Sequence, residues 1–256
     1  MENNKEKLKI AFANGITESE YVRYLNIRYD VEIIDVVNNS SNFSNLPHLI
    51  VFTGGPDVSP SHYDQEKGKF TFIDSSRDKI EINTFHRFNG LVKMLGICRG
   101  AQLLTVLNGG SLIQHVEGHT STTHTITSKY GSSFSMRGDH HQMMYPFNIN
   151  DNLYEIIYHS QYFQSSTYLN GNNEEIELPT NFVEPEIVYY NTTKSLCIQG
   201  HPEWMQPEHP TVEITLDLIK SRLFNNLPIS DTTLTSEYFY DDENDENDDE
   251  NDDEGF

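Results

Sequence analysis

Leu95-Gly96-Ile97-Cys98-Arg99-Gly100-Ala101-Gln102 joins two kinds of sequence. The half-apolar segment Leu91 to Ile97 before the cysteine reads as a strand, and Ala101 to Leu107 after it reads as a helix. Glycines at 96 and 100 let the chain turn sharply between them without Cβ clashes. A turn of this kind lifts Cys98 out at the top of a sheet, over a helix N-terminus whose partial positive charge favours a thiolate. Taken alone, Gly-x-Cys-x-Gly fits a nucleophile and a small core thiol equally well.

A second segment shifts that balance. Leu196-Cys197-Ile198-Gln199-Gly200 reads as a buried strand that runs into His201-Pro202-Glu203-Trp204. A thiol nucleophile needs a base, and the base needs a third group to fix its tautomer. His201 and Glu203, either side of a stiff proline, supply both from one loop. Alone, His-Pro-Glu is an ordinary surface turn; after an apolar strand, and beside the cysteine turn, it reads as a catalytic pair.

Outward from these segments, strand and helix patterns alternate. Leu8 to Ala13, Val31 to Val37 and Leu49 to Phe52 read as strands, and Glu18 to Arg28, Arg77 to Asn89 and Ala101 to Leu107 as helices. Such alternation predicts an α/β fold of three layers, a mostly parallel sheet flanked by helices, with reactive residues gathered at strand ends. Thr123 to Ile198 is richer in strand-like runs. Glu186 to Tyr190 and Leu196 to Gln199 read as a hairpin around Asn191-Thr192-Thr193-Lys194, and Pro210 to Phe224 as a closing helix.

Five ordered motifs, across roughly residues 8 to 224, resemble the class I glutamine amidotransferase superfamily, closest to its gamma-glutamyl hydrolase branch (Peptidase C26-like). Thr53-Gly54-Gly55-Pro56-Asp57-Val58-Ser59-Pro60 with Tyr63 is similar to that branch's glycine loop, and Asp74, Arg77-Asp78 and Glu81 to its helix entry. Asn108-Gly109-Gly110-Ser111-Leu112, His140-His141-Gln142 and Gln199 to Trp204 complete the series. The resemblance implies a flavodoxin-like sheet, with Cys98 as nucleophile, His201 as general base and acid, and Glu203 as the orienting carboxylate. It further implies an oxyanion hole from the backbone N–H groups of Gly55 and Arg99, and a substrate pocket formed by Gly54, Gln102, His141 and Gln142. Two departures carry expectations. A polar insertion, roughly Ser160 to Pro185, separates His-His-Gln from the last strand. Gly200 stands where many relatives carry an aromatic residue, which predicts a more open pocket wall beside His201.

Composition bounds the rest. With 256 residues, the chain can form one domain over 1–236, followed by an acidic tail over 237–256. Eleven acids fall within Asp241 to Glu254; without them the body carries 28 acidic against 17 basic residues, an excess that disfavours nucleic acid as a partner. Between Asp241 and Glu254 the tail offers no apolar residue to bury, and it is expected to be disordered. No stretch approaches the ~18 apolar residues that cross a bilayer, so no membrane partner is expected. Met1 to Lys7 lacks a signal-peptide run, and two cysteines without zinc-type spacing suit a reducing cytoplasm. His115, His119 and His124 are irregularly spaced and are read as surface or supporting histidines, so neither metal nor cofactor is expected. Cys197 reads as a packed core thiol.

The leading function is therefore a cysteine-nucleophile hydrolase that cleaves a gamma-glutamyl amide through a glutamyl thioester. Its partner is a small gamma-glutamyl amide or glutamine, and the sequence is compatible with a homodimer. A second reading is a glutaminase subunit that passes ammonia to a separate synthetase chain. A third is a catalytically silent binding protein. A peptidase with histidine directly after its cysteine is disfavoured, since Arg99 holds that position.

Overall fold

Leu49–Phe52 and Ser195–Ile198 are buried at every position, as strands covered on both faces must be. The computed structural model describes residues 5–38 and 46–225. Its strands are β1 (Glu6–Phe12), β2 (Tyr29–Ile33), β3 (Leu49–Phe52), β4 (Lys93–Ile97), β5 (Ser111–Ile113), β6 (His115–Val116), β7 (Thr122–Ser128), β8 (Ser133–Gly138), β9 (Met143–Tyr145), β10 (Tyr154–Ser160), β11 (Tyr168–Leu169), β12 (Pro185–Tyr190) and β13 (Ser195–Ile198). The helices are α1 (Ser19–Asn26), α2 (Ser75–Phe88), α3 (Arg99–Leu107) and α4 (Pro210–Leu218). Nine strands form one sheet in the order β2-β1-β3-β4-β13-β12-β10-β7-β8. The run from β2 to β13 is parallel, and the remaining strands extend it antiparallel. The α/β, three-layer expectation holds, and the strand-rich later region accounts for the antiparallel extension.

Alternation along each strand divides the core. Leu49, Val51, Leu95, Ile97, Leu196 and Ile198 pack with Tyr21 and Leu25 of α1 and with Val212 and Leu216 of α4. Ile50, Phe52, Met94 and Cys197 face the other way, onto Phe85 and Phe88 of α2 and Leu103 and Leu104 of α3. Each large apolar side chain so buried contributes about 1.5–3 kcal/mol. Cys197 is fully buried in this second layer, and burial pushes its thiol well above the usual range, as befits a core thiol.

Helix ends follow local chemistry. Asp74 caps α2 by accepting from the Ser76 and Arg77 N–H groups at 3.1 and 3.0 Å, so the helix starts ahead of the expected Arg77. The closing helix is α-helical to Leu218 and continues as a π-helix over Ile219–Asn225. The polar insertion is not merely solvated. Its β11 pairs with β6, and Phe182 packs into a third apolar cluster with Ile113, Val116 and Met143. The acidic tail lies outside the described residues. Among those described, no helix is long and apolar enough to cross a membrane.

Candidate active site

β4 ends at Ile97, and α3 begins at Arg99, leaving Cys98 alone to make the turn. It does so at φ 52°, ψ −113°, a strained conformation for a residue with a side chain. Glycine is required on both sides by close approach. A Cβ on Gly100 would sit 2.0 Å from the Phe52 carbonyl oxygen, and one on Gly96 would sit 2.6 Å from the Gly100 backbone. The start of α3 is thus pressed against β3 and β4, which fixes where the sulfur emerges. Gly100→Ala is expected to destabilise the fold by about 3 kcal/mol or more, because backbone must move to admit the methyl group. Denaturant midpoints of the two proteins measure this; an unchanged midpoint would contradict it.

His201 follows β13, the neighbour of β4, so the two strand ends bring it to the cysteine. Its Nδ1–H donates to Glu203 Oε1 at 2.6 Å, and both residues are buried. Trp204 stacks on the imidazole, ring centroids 3.6 Å apart and planes within 2° of parallel, which holds the ring's orientation. Desolvation opposes an imidazolium here, but hydrogen bonds and charges from Cys98 and Glu203 outweigh it and push the His201 pKa up to about 10. Since the folded value lies above the ordinary one, the stabilisation from this proton is complete below about pH 6.5 and is lost as pH rises through about 10. NMR titration of the imidazole is expected to show His201 still protonated at pH 8 in the wild type, and titrating lower in Cys98→Ala. A wild-type midpoint near the free-histidine value would contradict this ion pairing.

The glycine loop is held from two sides. Thr53 Oγ1 donates to Glu18 Oε1 at 2.6 Å, and the Gly54 N–H donates to Tyr21 Oη at 2.9 Å. From the opposite side, Arg77 Nη2 donates to Thr53 O and Oγ1 at 3.1 and 2.8 Å. Arg77 also pairs with Glu81 at 2.8 Å, and Glu81 pairs with the buried Arg99 guanidinium, which in turn meets Asp78 at 2.5 Å. One buried ion network therefore links the loop carrying Gly55 to the residue after Cys98. Removing one partner of such a network leaves an uncompensated buried charge, at a cost of about 3–5 kcal/mol.

A cleft of about 400 Å³ is lined by Gly54, Gly55, Cys98 and His201, together with Tyr21 and Trp204. Glu18, Glu20 and Asp139 also line it, so three carboxylates share its wall with the His201 imidazolium. Of the residues assigned to substrate by resemblance, Gly54 lies in this wall, whereas Gln102 and Gln142 are buried and do not line it. Gln102 Nε2 donates to the Gln142 carbonyl at 2.8 Å, and Gln142 Nε2 donates to Thr71 Oγ1 at 3.2 Å. His141 is half-buried and meets Asp57 at 3.2 Å. The expected opening beside Gly200 is absent: a Cβ there would lie 2.3 Å from Met136 Cγ and 2.7 Å from the Arg137 carbonyl oxygen, because β8 fills that space. Trp204 stands in a family motif with no role implied for it, and Tyr21 went unrecognised in the sequence. Tyr21 occupies a core-facing position of α1, and nothing in its spacing announces that its hydroxyl serves the glycine loop.

The Peptidase C26 family profile matches residues 35–203. A Lactococcus lactis subsp. lactis protein, named for its likeness to glutamine amidotransferases, is 40% identical over 90 residues, 34% of this chain and 38% of its own length. A Mycobacterium tuberculosis protein, provisionally named a glutamine amidotransferase, is 28% identical over 179 residues, 61% of this chain and 50% of its own length. The matches thus span half or less of these two relatives. A solved Thermoplasma acidophilum structure, provisionally described as one subunit of a GMP synthase, shares the fold at TM-score 0.51 and 17% identity, covering 84% of this chain and 92% of that one. The chain belongs to the Peptidase C26 family, within the class I glutamine amidotransferase-like superfamily.

Proposed function

We propose that this protein is a stand-alone amide hydrolase acting on gamma-glutamyl amides, with Cys98 as nucleophile. The observation that carries the reading is a cysteine held at positive φ on a helix N-terminus, lining one cleft with an imidazole that is itself fixed by Glu203. The Cys98 thiolate attacks the side-chain amide carbonyl, and the resulting oxyanion is received by the Gly55 and Arg99 N–H groups. His201 then delivers its proton to the departing nitrogen as the C–N bond breaks, leaving a glutamyl thioester on Cys98. Water attacks the thioester, His201 takes its proton, and the thiolate departs with glutamate released.

The Michaelis complex forms in the cleft beside Gly54, with Trp204 and the acidic residues at its wall. The test is glutamate release from glutamine and from a panel of gamma-glutamyl amines, with amine and ammonia measured in parallel. Release of glutamate and free amine, with kcat/KM on at least one amine above that on glutamine, is expected. Preference for glutamine, rising when a synthetase chain is added, would instead assign an ammonia-supplying subunit. No turnover of any substrate, with an unreactive thiol, would overturn the enzymatic reading.

A further inference from the structure

A second polar cluster, none of whose residues lines the Cys98 cleft, includes His124 of β7. His119, His124, His140, Glu184 and Glu186 converge there, all buried, with His119 and Glu186 at 0% exposure. They come from separate parts of the chain: β7 brings His124, β12 brings Glu186, and Glu184 closes the polar insertion. One potential ligand atom each from His119, His140 and Glu186 lies within 4.8 Å of the others. A buried carboxylate among imidazoles costs several kcal/mol unless its charge and lone pairs are answered.

The hydrogen bonds in this cluster are arranged around particular atoms. His140 Nδ1–H donates to the Gln142 carbonyl at 2.9 Å, which leaves Nε2 as a lone-pair nitrogen without a partner among the described residues. Glu186 Oε1 receives His124 Nε2–H at 2.9 Å and Ser160 Oγ–H at 3.2 Å, while Oε2 has no partner. Neither His119 nitrogen makes a hydrogen bond among the described residues: Nε2 faces Glu184 Oε2 at 3.4 Å and Nδ1 faces Glu186 Oε1 at 3.6 Å. Glu184 is itself fixed by the Gln164 and Ser165 N–H groups at 2.8 and 2.9 Å and by Tyr168 Oη at 2.7 Å. His140 and Glu186 thus each use one polar atom on an orienting neighbour and hold another free, while His119 stands between the two carboxylates. A metal-binding histidine carries just such an outer partner, which fixes its tautomer and raises its basicity.

We propose that His119, His140 and Glu186 bind a divalent transition-metal ion, with zinc the best match to two imidazoles and a carboxylate in a fully buried site. Glu184 and Glu186 together balance its charge. Zinc–nitrogen bonds of about 2.0–2.1 Å set ligand separations near 3.4 Å, so the separations close by at most about 1.4 Å from the 4.8 Å bound. The site is structural: it clamps the insertion and the loop carrying His141 and Gln142 onto β12, whose partner β13 runs into His201. The Gln199 N–H, two residues before His201, donates to the Glu186 carbonyl at 2.8 Å.

Elemental analysis of the dialysed full-length protein is expected to give one zinc per chain. X-ray absorption at the zinc edge should show only nitrogen and oxygen neighbours, including imidazole. Stripping the metal with a strong chelator should lower the thermal midpoint by about 10 °C, restored by added zinc. The His119→Gln/His140→Gln double variant should lose the metal, while Cys98→Ala should keep it. A wild-type protein free of metal that takes up none when zinc is supplied would overturn the proposal. So would sulfur in the zinc shell, or full metal retention by the double variant, since either would place the ion elsewhere. The wild-type measurements decide the matter even where the double variant does not fold.

Discussion

Replacement of Cys98 by alanine is expected to reduce kcat by roughly 10⁴-fold or more while leaving the fold in place. Cys98 carries the bond-forming atom, and no neighbouring group can replace it: Cys197, the other cysteine, is fully buried on the opposite face of the sheet. Serine at position 98 is expected to fail nearly as badly. Its hydroxyl is far less acidic than a thiol, so the thiolate contribution that raises the His201 pKa is lost and a neutral, weaker nucleophile is left. Alanine also relieves little of the φ 52° strain, because any Cβ suffers it, so stability should shift only modestly. Steady-state rates with matched denaturation curves check both halves. Retained activity in a folded Cys98→Ala protein would remove the cysteine from the chemistry.

His201→Asn should cost roughly 10⁴-fold, and Glu203→Gln about 10²-fold. The asymmetry follows from geometry. His201 moves the proton at both steps, whereas Glu203 fixes the ring through one 2.6 Å bond and supports its charge. Trp204 continues to hold the ring plane when Glu203 is neutralised, so orientation is only partly lost. In Glu203→Gln the imidazolium loses one of its two supporting charges, and the alkaline limb of the rate profile should move to lower pH. Equal losses in both variants would show that Glu203 does more than orient and stabilise.

Much of this architecture was legible because it is local. The buried tetrad Leu49–Phe52 and the Gly-x-Cys-x-Gly turn each declare themselves within a few residues. Proximity of Cys98 to His201 was legible through order along the chain, since each follows a strand and the two strands are parallel neighbours. Long-range filling was not. Gly200 suggested open space, yet β8, paired only with β7 at the sheet edge, folds its Met136 side chain into that space. The histidines at 119 and 124 looked irregular because their partners, His140, Glu184 and Glu186, enter from distant segments. Tyr21 was silent for a similar reason: its ring is core, and only its hydroxyl reaches the glycine loop.

The nucleophile assignment is tested most directly by covalent capture. The full-length protein is incubated with an electrophilic glutamine analogue, digested, and the modified residue located by mass spectrometry. One adduct per chain, confined to Cys98 and slowed by a competing gamma-glutamyl amide, is the expected result. An adduct on Cys197 with Cys98 untouched, or no adduct while substrate is still hydrolysed, would contradict it.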